Sequence, residues 1–222
     1  MLALKSVVSL KQLHVGIEFN KHRNGPLPAD HNAALPFTRF VVGHADYTPI
    51  LYTNPGPTSL AHQLATPVLY LSPLQVFAEH PDTMMTSPIV KDALPVLQSI
   101  SAVWDETIVL PGSKIGELAA FARRNGDDWI VGIVNGGRER FYELDLSFLP
   151  DGDYEAVTVS DDLTAEPVNV SEIGLNIKAD GKRKGWTTAV PFSVDTRSVD
   201  RFASLTIKLA EGGGFVARIV RQ

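Results

Sequence analysis

The 222-residue sequence contains no cysteine, which excludes disulfides and thiolate metal sites and leaves the cellular compartment open. No apolar run approaches the roughly 20 residues that a membrane-crossing helix needs, so no membrane partner is expected. The first ten residues, MLALKSVVSL, carry a lysine mid-run and no small-residue cleavage site, and do not read as a secretion signal. Basic clusters are missing too. Lysine and arginine total 20 against 25 acidic residues, and the one basic run, Lys182-Arg183-Lys184, lies between Gly181 and Gly185 and reads as a solvated turn. Nucleic acid is therefore not an expected partner. There is no internal repeat. The run Gly212-Gly213-Gly214 has neither a following Gly-Lys-Ser/Thr nor a helix, so it does not read as a phosphate loop.

What is present is globular composition, 44% hydrophobic and 20% charged, which argues against disorder. The chain changes character near Ser101. Before it, apolar residues fall in helical blocks at 61–65, 74–79 and around Leu94, Leu97 and Ile100, with short extended pieces at 15–19 and 47–52. Thr58 and Ser59 are candidate N-caps for the first block, and this alternation predicts α/β structure. After Ser101 the period shifts to two. Strand-like runs at 104–110, 116–123, 129–135, 140–148 and 154–160 are punctuated by Pro111-Gly112, Asn125-Gly126-Asp127-Asp128, Asn135-Gly136-Gly137 and Asp151-Gly152-Asp153. Runs at 205–209 and 215–220 predict a closing hairpin, and the stretch 163–201 is assigned only loosely. The expected fold is thus an α/β part over residues 1–100 and an all-β sandwich over 101–222.

The first half also carries specific strings. Gly16-Ile17-Glu18-Phe19-Asn20 is followed by His31-Asn32-Ala33-Ala34-Leu35-Pro36-Phe37-Thr38-Arg39, Gly43-His44-Ala45-Asp46-Tyr47-Thr48-Pro49, Ala61-His62-Gln63-Leu64-Ala65 and Ser72-Pro73-Leu74-Gln75. Downstream lie Val103-Trp104-Asp105-Glu106-Thr107, Asp145-Leu146-Ser147-Phe148-Leu149 and Gly212-Gly213-Gly214-Phe215. In this order and spacing they resemble the C-terminal portion of glycoside hydrolase family 97, bacterial exo-acting α-glucosidases and α-galactosidases, from about Gly16 to Gln222.

The resemblance implies a parent with an N-terminal β-sandwich, a (β/α)8 catalytic barrel and a C-terminal β-sandwich for support and oligomerisation. Residues 1–100 would then be the remnant of the barrel's end, and the chain a truncated piece, inactive alone. Glu18 falls on the family's general-acid glutamate. Glycoside hydrolysis needs such an acid to protonate the departing oxygen, opposite a second carboxylate. A carboxylate ending a short apolar strand also stands where barrels place catalytic groups. The family depends on calcium held largely by glutamates, but Gln12 occupies the place of one expected ligand, and an amide is a weaker calcium ligand than a carboxylate. Stable calcium binding by this chain alone is therefore not expected. Carbohydrate is the implied substrate of the intact enzyme, and a homo-oligomer through the sandwich is the implied assembly.

His44 and Asp46 are candidate substrate-binding residues that could equally satisfy a turn. His62 is read as a hydrogen-bonded packing residue, and Arg39 as a salt-bridge anchor for 37–42. The acid pairs Asp105-Glu106 and Asp161-Asp162 are read as solvated turn residues, and two of Trp104, Trp129 and Trp186 as core. The rival to an α-glycosidase fragment is a non-catalytic sandwich module for oligomerisation or carbohydrate contact. A part-barrel should expose an apolar helix face, leaving 1–100 less stable than a self-sufficient 101–222.

Overall fold

The computed structural model describes residues 27–45, 47–72, 75–174 and 186–222. Helices come first: α1 (Ala29–Ala34), α2 (Leu60–Leu69), α3 (Pro81–Thr86) and α4 (Leu94–Gln98). Ten strands follow: β1 (Glu106–Val109), β2 (Leu118–Asn125), β3 (Asp128–Asn135), β4 (Arg140–Asp145), β5 (Tyr154–Asp161), β6 (Val168–Asn169), β7 (Thr188–Ala189), β8 (Phe192–Val199), β9 (Ser204–Leu209) and β10 (Gly214–Arg221). The switch of period near Ser101 is a real switch of structure.

Six strands make one antiparallel sheet in the order β1-β2-β3-β10-β5-β8. The hairpin signal at 125–128 resolves into a two-residue turn. Asn125 and Asp128 already pair, and Gly126 takes a positive φ of 63° at the first turn position, as the strand twist favours. A separate pair, β4 with β9, covers one face of the sheet. There Tyr142, Leu144, Leu205, Ile207 and Leu209 meet Leu118, Ala120, Trp129, Val131, Ile133, Phe215, Ala217 and Ile219 in one buried cluster. The two layers meet through alternating inward residues, the packing of a sandwich.

The other face is covered by helix. Leu60, Ala61, Leu64, Ala65, Val68 and Leu69 of α2 pack with Ala119, Phe121, Ile130, Val134, Val159 and Val216 of the sheet. Ser59 caps α2, accepting a hydrogen bond from the His62 amide at 3.0 Å. Every residue of α2 is buried. The helix crosses β3 so closely that a Cβ at Gly132 would lie 2.7 Å from Val68 Cβ. With both faces covered, β3 is buried from Trp129 to Asn135, a continuous run rather than an alternating one. The expectation of an open apolar helix face is thus corrected for α2, which shares its core with the sheet of the second half.

Three stretches differ from their sequence reading. The block at 74–79, read as helical, forms no helix over the described residues 75–79, and the described residues before Ser101 contain helices without the strands that α/β alternation predicts. Residues 47–52 look extended but form no strand; side chains take backbone amides in and beside the stretch instead. Leu51 N–H donates to Gln63 Oε1 (3.1 Å) and Thr53 N–H to Glu79 Oε2 (2.9 Å), and Ile50 takes a φ of 59° that breaks any ladder. The loosely assigned stretch after Leu163 contains β8, an eight-residue strand paired along its length with β5.

Candidate functional site

Of the residues singled out by sequence, Glu18, Gln12 and Asp46 lie outside the described residues. His44 is described and exposed. Its carbonyl, with that of Gly43, is held by the Arg39 guanidinium at 3.1 and 3.3 Å. Among the described residues Arg39 therefore acts as a clamp on backbone carbonyls, and it forms no salt bridge there. Trp129 is core, Trp186 is half-exposed, and Trp104 is partly buried against the Arg123 guanidinium, 5.7 Å from its ring centroid. Trp104 also lines a depression of about 20 Å³ with Asn125, Asp128 and Arg218. That is room for about one water and not for a sugar ring.

The structure brings together a different set of polar residues, where the N-terminus of α2 meets the β9–β10 turn. Asp161, at the end of β5, is 7% exposed, and its Oδ2 accepts from the amides of Ala210 (2.9 Å) and Gly214 (3.0 Å). Burial pushes its carboxyl up to about 6, and hydrogen bonds from the Ser59 hydroxyl and the two amides limit the rise. The reading of Asp161 as a solvated turn acid is corrected. Its neighbour Asp162 fits that reading, binding Thr164 and the Ala165 amide at the surface. Asp105 and Glu106 fit it as well, both paired with Arg124.

His62, fully buried on α2, contacts the Gly213 carbonyl through Nδ1 (3.0 Å) and Asn32 Nδ2 through Nε2 (3.0 Å). Because a carbonyl can only accept, Nδ1 carries the proton and Nε2 accepts from the amide. The packing reading of His62 agrees with this geometry. The Asn32 backbone carbonyl accepts from Tyr70 Oη, and Ser59 N–H donates to the Gly212 carbonyl.

The three glycines answer to this junction. A Cβ on Gly214 would stand 2.3 Å from His62 Cα, one on Gly213 2.0 Å from Asp161 Oδ2, and one on Gly212 2.3 Å from the Pro57 carbonyl oxygen. Ser59, His62 and Asp161 thus lie near one another, but the imidazole addresses backbone and amide rather than the hydroxyl, and all three are closed to solvent. This constellation fastens helix to sheet; it has no room for a substrate. Asp161 read as a turn acid in the sequence because its partners lie about fifty residues away.

Among the described residues, no group of three or more His, Cys, Asp or Glu side chains converges as metal ligands. The two buried carboxylates among the described residues, Glu79 and Asp161, both hold backbone amides. The described residues therefore do not fit a calcium site.

The family model described as the C-terminal oligomerisation region of glycosyl hydrolase 97 matches residues 103–220, the whole β region and its approach. The chain belongs to glycoside hydrolase family 97. A retaining alpha-galactosidase of Bacteroides thetaiotaomicron is 31% identical over 202 residues, 85% of this chain and 27% of that protein. A family 97 enzyme of Pseudoalteromonas sp. strain K8, solved in complex with acarbose, superposes with a TM-score of 0.75 at 29% identity, over 93% of this chain and 31% of the enzyme. A beta-arabinopyranosidase shares the fold at TM-score 0.63 and 21% identity, over 86% of this chain and 28% of its own. The chain spans less than a third of the length of each of these proteins.

Proposed function

We propose that these residues are the C-terminal part of an exo-acting α-glycosidase that hydrolyses α-glucosides or α-galactosides. In this reading, residues 1–100 contribute the end of a (β/α)8 barrel, and Glu18 protonates the leaving oxygen within it. The observation that carries the reading is the extent of the likeness. The family model begins at residue 103, yet the match to the Pseudoalteromonas enzyme runs over 93% of the chain, well into the helical half. Calcium belongs to the intact enzyme in this proposal, with its carboxylate ligands elsewhere than among the described residues.

Alone, the 222-residue chain should not turn over substrate. One carboxylate cannot serve as both proton donor and opposite-face base, and each role contributes orders of magnitude in rate. The test is hydrolysis of p-nitrophenyl α-glucoside and α-galactoside with and without calcium. Turnover that vanishes in Glu18→Gln would show a complete site and overturn the reading of an incomplete one.

A second reading, a non-catalytic support module that assembles copies of the chain, is favoured by the family model's own description of this region as one of oligomerisation. The two are compatible, since the sandwich can support assembly while the barrel supplies chemistry.

A further inference from the structure

The two edges of the six-stranded sheet are treated differently. At one edge β1 is only four residues long, and Arg124 ties down Asp105 and Glu106 beside it. Short, charged edges are the usual protection against unwanted strand pairing. At the other edge β8 runs for eight residues, and every residue from Ser193 to Ser198 is exposed, on both faces of the strand. No lysine or proline interrupts it. The sheet thus projects one long strand beyond the layers that cover it, its outer edge unpaired among the described residues.

We propose that β8 pairs antiparallel with β8 of a second copy of this chain, joining two six-stranded sheets into one across a two-fold axis. This deepens the oligomerisation reading above and rests on it. The register follows from symmetry and charge. A two-fold axis perpendicular to the sheet puts facing residues on the same side, so each residue pairs with one of the same odd or even number. Two such registers pair all but one of the eight strand residues: the one centred on Asp195 leaves out Val199, and the one centred on Thr196 leaves out Phe192. Centred on Asp195, the pairing sets that carboxylate against its own copy, which is unfavourable. Centred on Thr196, it sets Asp195 opposite the partner's Arg197 and Arg197 opposite the partner's Asp195. Within one chain these two side chains already form an ion pair on the same side of the strand. Pairing closes a ring of four alternating charges around Thr196. Phe202, 86% exposed where the chain turns after β8, would stand at the end of the joined ladder.

The 222-residue chain should therefore dimerise in sedimentation equilibrium. Asp195→Arg and Arg197→Asp should each weaken the dimer about tenfold or more, by setting like charges face to face. Mixed, the two variants should form a heterodimer of near wild-type affinity, because each then meets the opposite charge. An effect confined to the ion pair within one chain cannot produce that rescue. The chain has no cysteine, so Thr196→Cys introduces a single thiol on the axis. Facing Cα atoms about 4.5–5.5 Å apart suit a disulfide, and mild oxidation should cross-link this variant but not Thr206→Cys on β9. A wild-type chain that stays monomeric at all concentrations would overturn the oligomerisation reading together with this proposal. An oligomer indifferent to both charge reversals, or one that cross-links through Thr206→Cys and not Thr196→Cys, would overturn the proposal alone.

Discussion

On one face of the six-stranded sheet, β4 and β9 set Tyr142, Leu144, Leu205, Ile207 and Leu209 into a dry, regular layer. On the other, α2 lies flush against Gly132 and Gly214 and is fastened at its start by Asp161, His62, Asn32 and Ser59. The first face is closed by strand periodicity, the second by close approach and long-range polar contacts. The helix belongs to the early half of the chain and the sheet to the later half, so the change of character at Ser101 separates kinds of secondary structure while one core runs across it.

The largest expected effect comes from removing the helical cover. Deleting residues 1–100 would uncover Ala119, Phe121, Ile130, Val134, Val159 and Val216 at once, though the β4–β9 face stays intact. The 101–222 fragment is expected to aggregate or to lose near-ultraviolet circular dichroism while keeping β-sheet signal. This replaces the sequence-based expectation of a self-sufficient second half. A soluble fragment with a cooperative urea transition would restore it.

Next in size are paired truncations. Leu64 on α2 and Leu144 on β4 are both buried to within 1% of full coverage. Each Leu→Ala change should cost about 2–5 kcal/mol in urea unfolding, with one transition for both if the faces unfold together. Two separate transitions, each sensitive to one variant, would instead make the faces independent units. Substitution of Gly214 should exceed both, because its Cβ would meet backbone atoms of His62 that cannot swing aside.

These contrasts explain what could be read from the sequence. The β2–β3 turn and the strands of the sandwich were legible because their periodicity and Gly-containing turns are local. Strand β8 was not, because both of its faces meet solvent and no alternation marks it. Residues 47–52 read as extended but form no strand, the Leu51 amide being taken by Gln63 and the adjoining Thr53 amide by Glu79. The three glycines were legible as a turn but not as the seat of α2, since that reason lies about 150 residues upstream. The candidate catalytic residue, Glu18, was legible chiefly through family resemblance, with its place at a strand end as a weaker sign, and it lies outside the described residues.

Asp161 sharpens the comparison through pH. Its carboxyl is raised from 3.8 to about 6, so the folded protein binds this proton more tightly than the unfolded chain. The resulting stabilisation is complete below about pH 4 and is lost as pH rises through about 6, a change of about 3 kcal/mol. Asp161→Asn keeps an acceptor for the Ala210 and Gly214 amides but does not titrate. Relative to that variant, the wild type should lose stability between pH 4 and pH 7 in urea titrations. Parallel profiles for the two proteins would mean that the carboxyl does not titrate in this range.

The smallest expected effect is at Arg123, on the helix face of the sheet. It is 2% exposed and faces no carboxylate among the described residues; its Nη2 donates to the Leu69 carbonyl at the end of α2 (2.9 Å), and its guanidinium lies 5.7 Å from the Trp104 and Phe121 ring centroids. Burial pushes its pKa down to about 10, so the cost of desolvating the charge is fully present at neutral pH and is relieved only above that value. The hydrogen bond and the ring contacts return about 2–4 kcal/mol, much the same as the several kcal/mol that burying an unpaired cation costs. Arg123→Met keeps the volume and drops the charge, and should change unfolding free energy by no more than about 1 kcal/mol. Arg123→Ala leaves a cavity against Trp104 and should cost about 3 kcal/mol. If methionine proved as damaging as alanine, the guanidinium would be the fastening that matters at this end of α2. Both ends of the helix would then be held by polar contacts, Asp161 and His62 at its start and Arg123 at its finish.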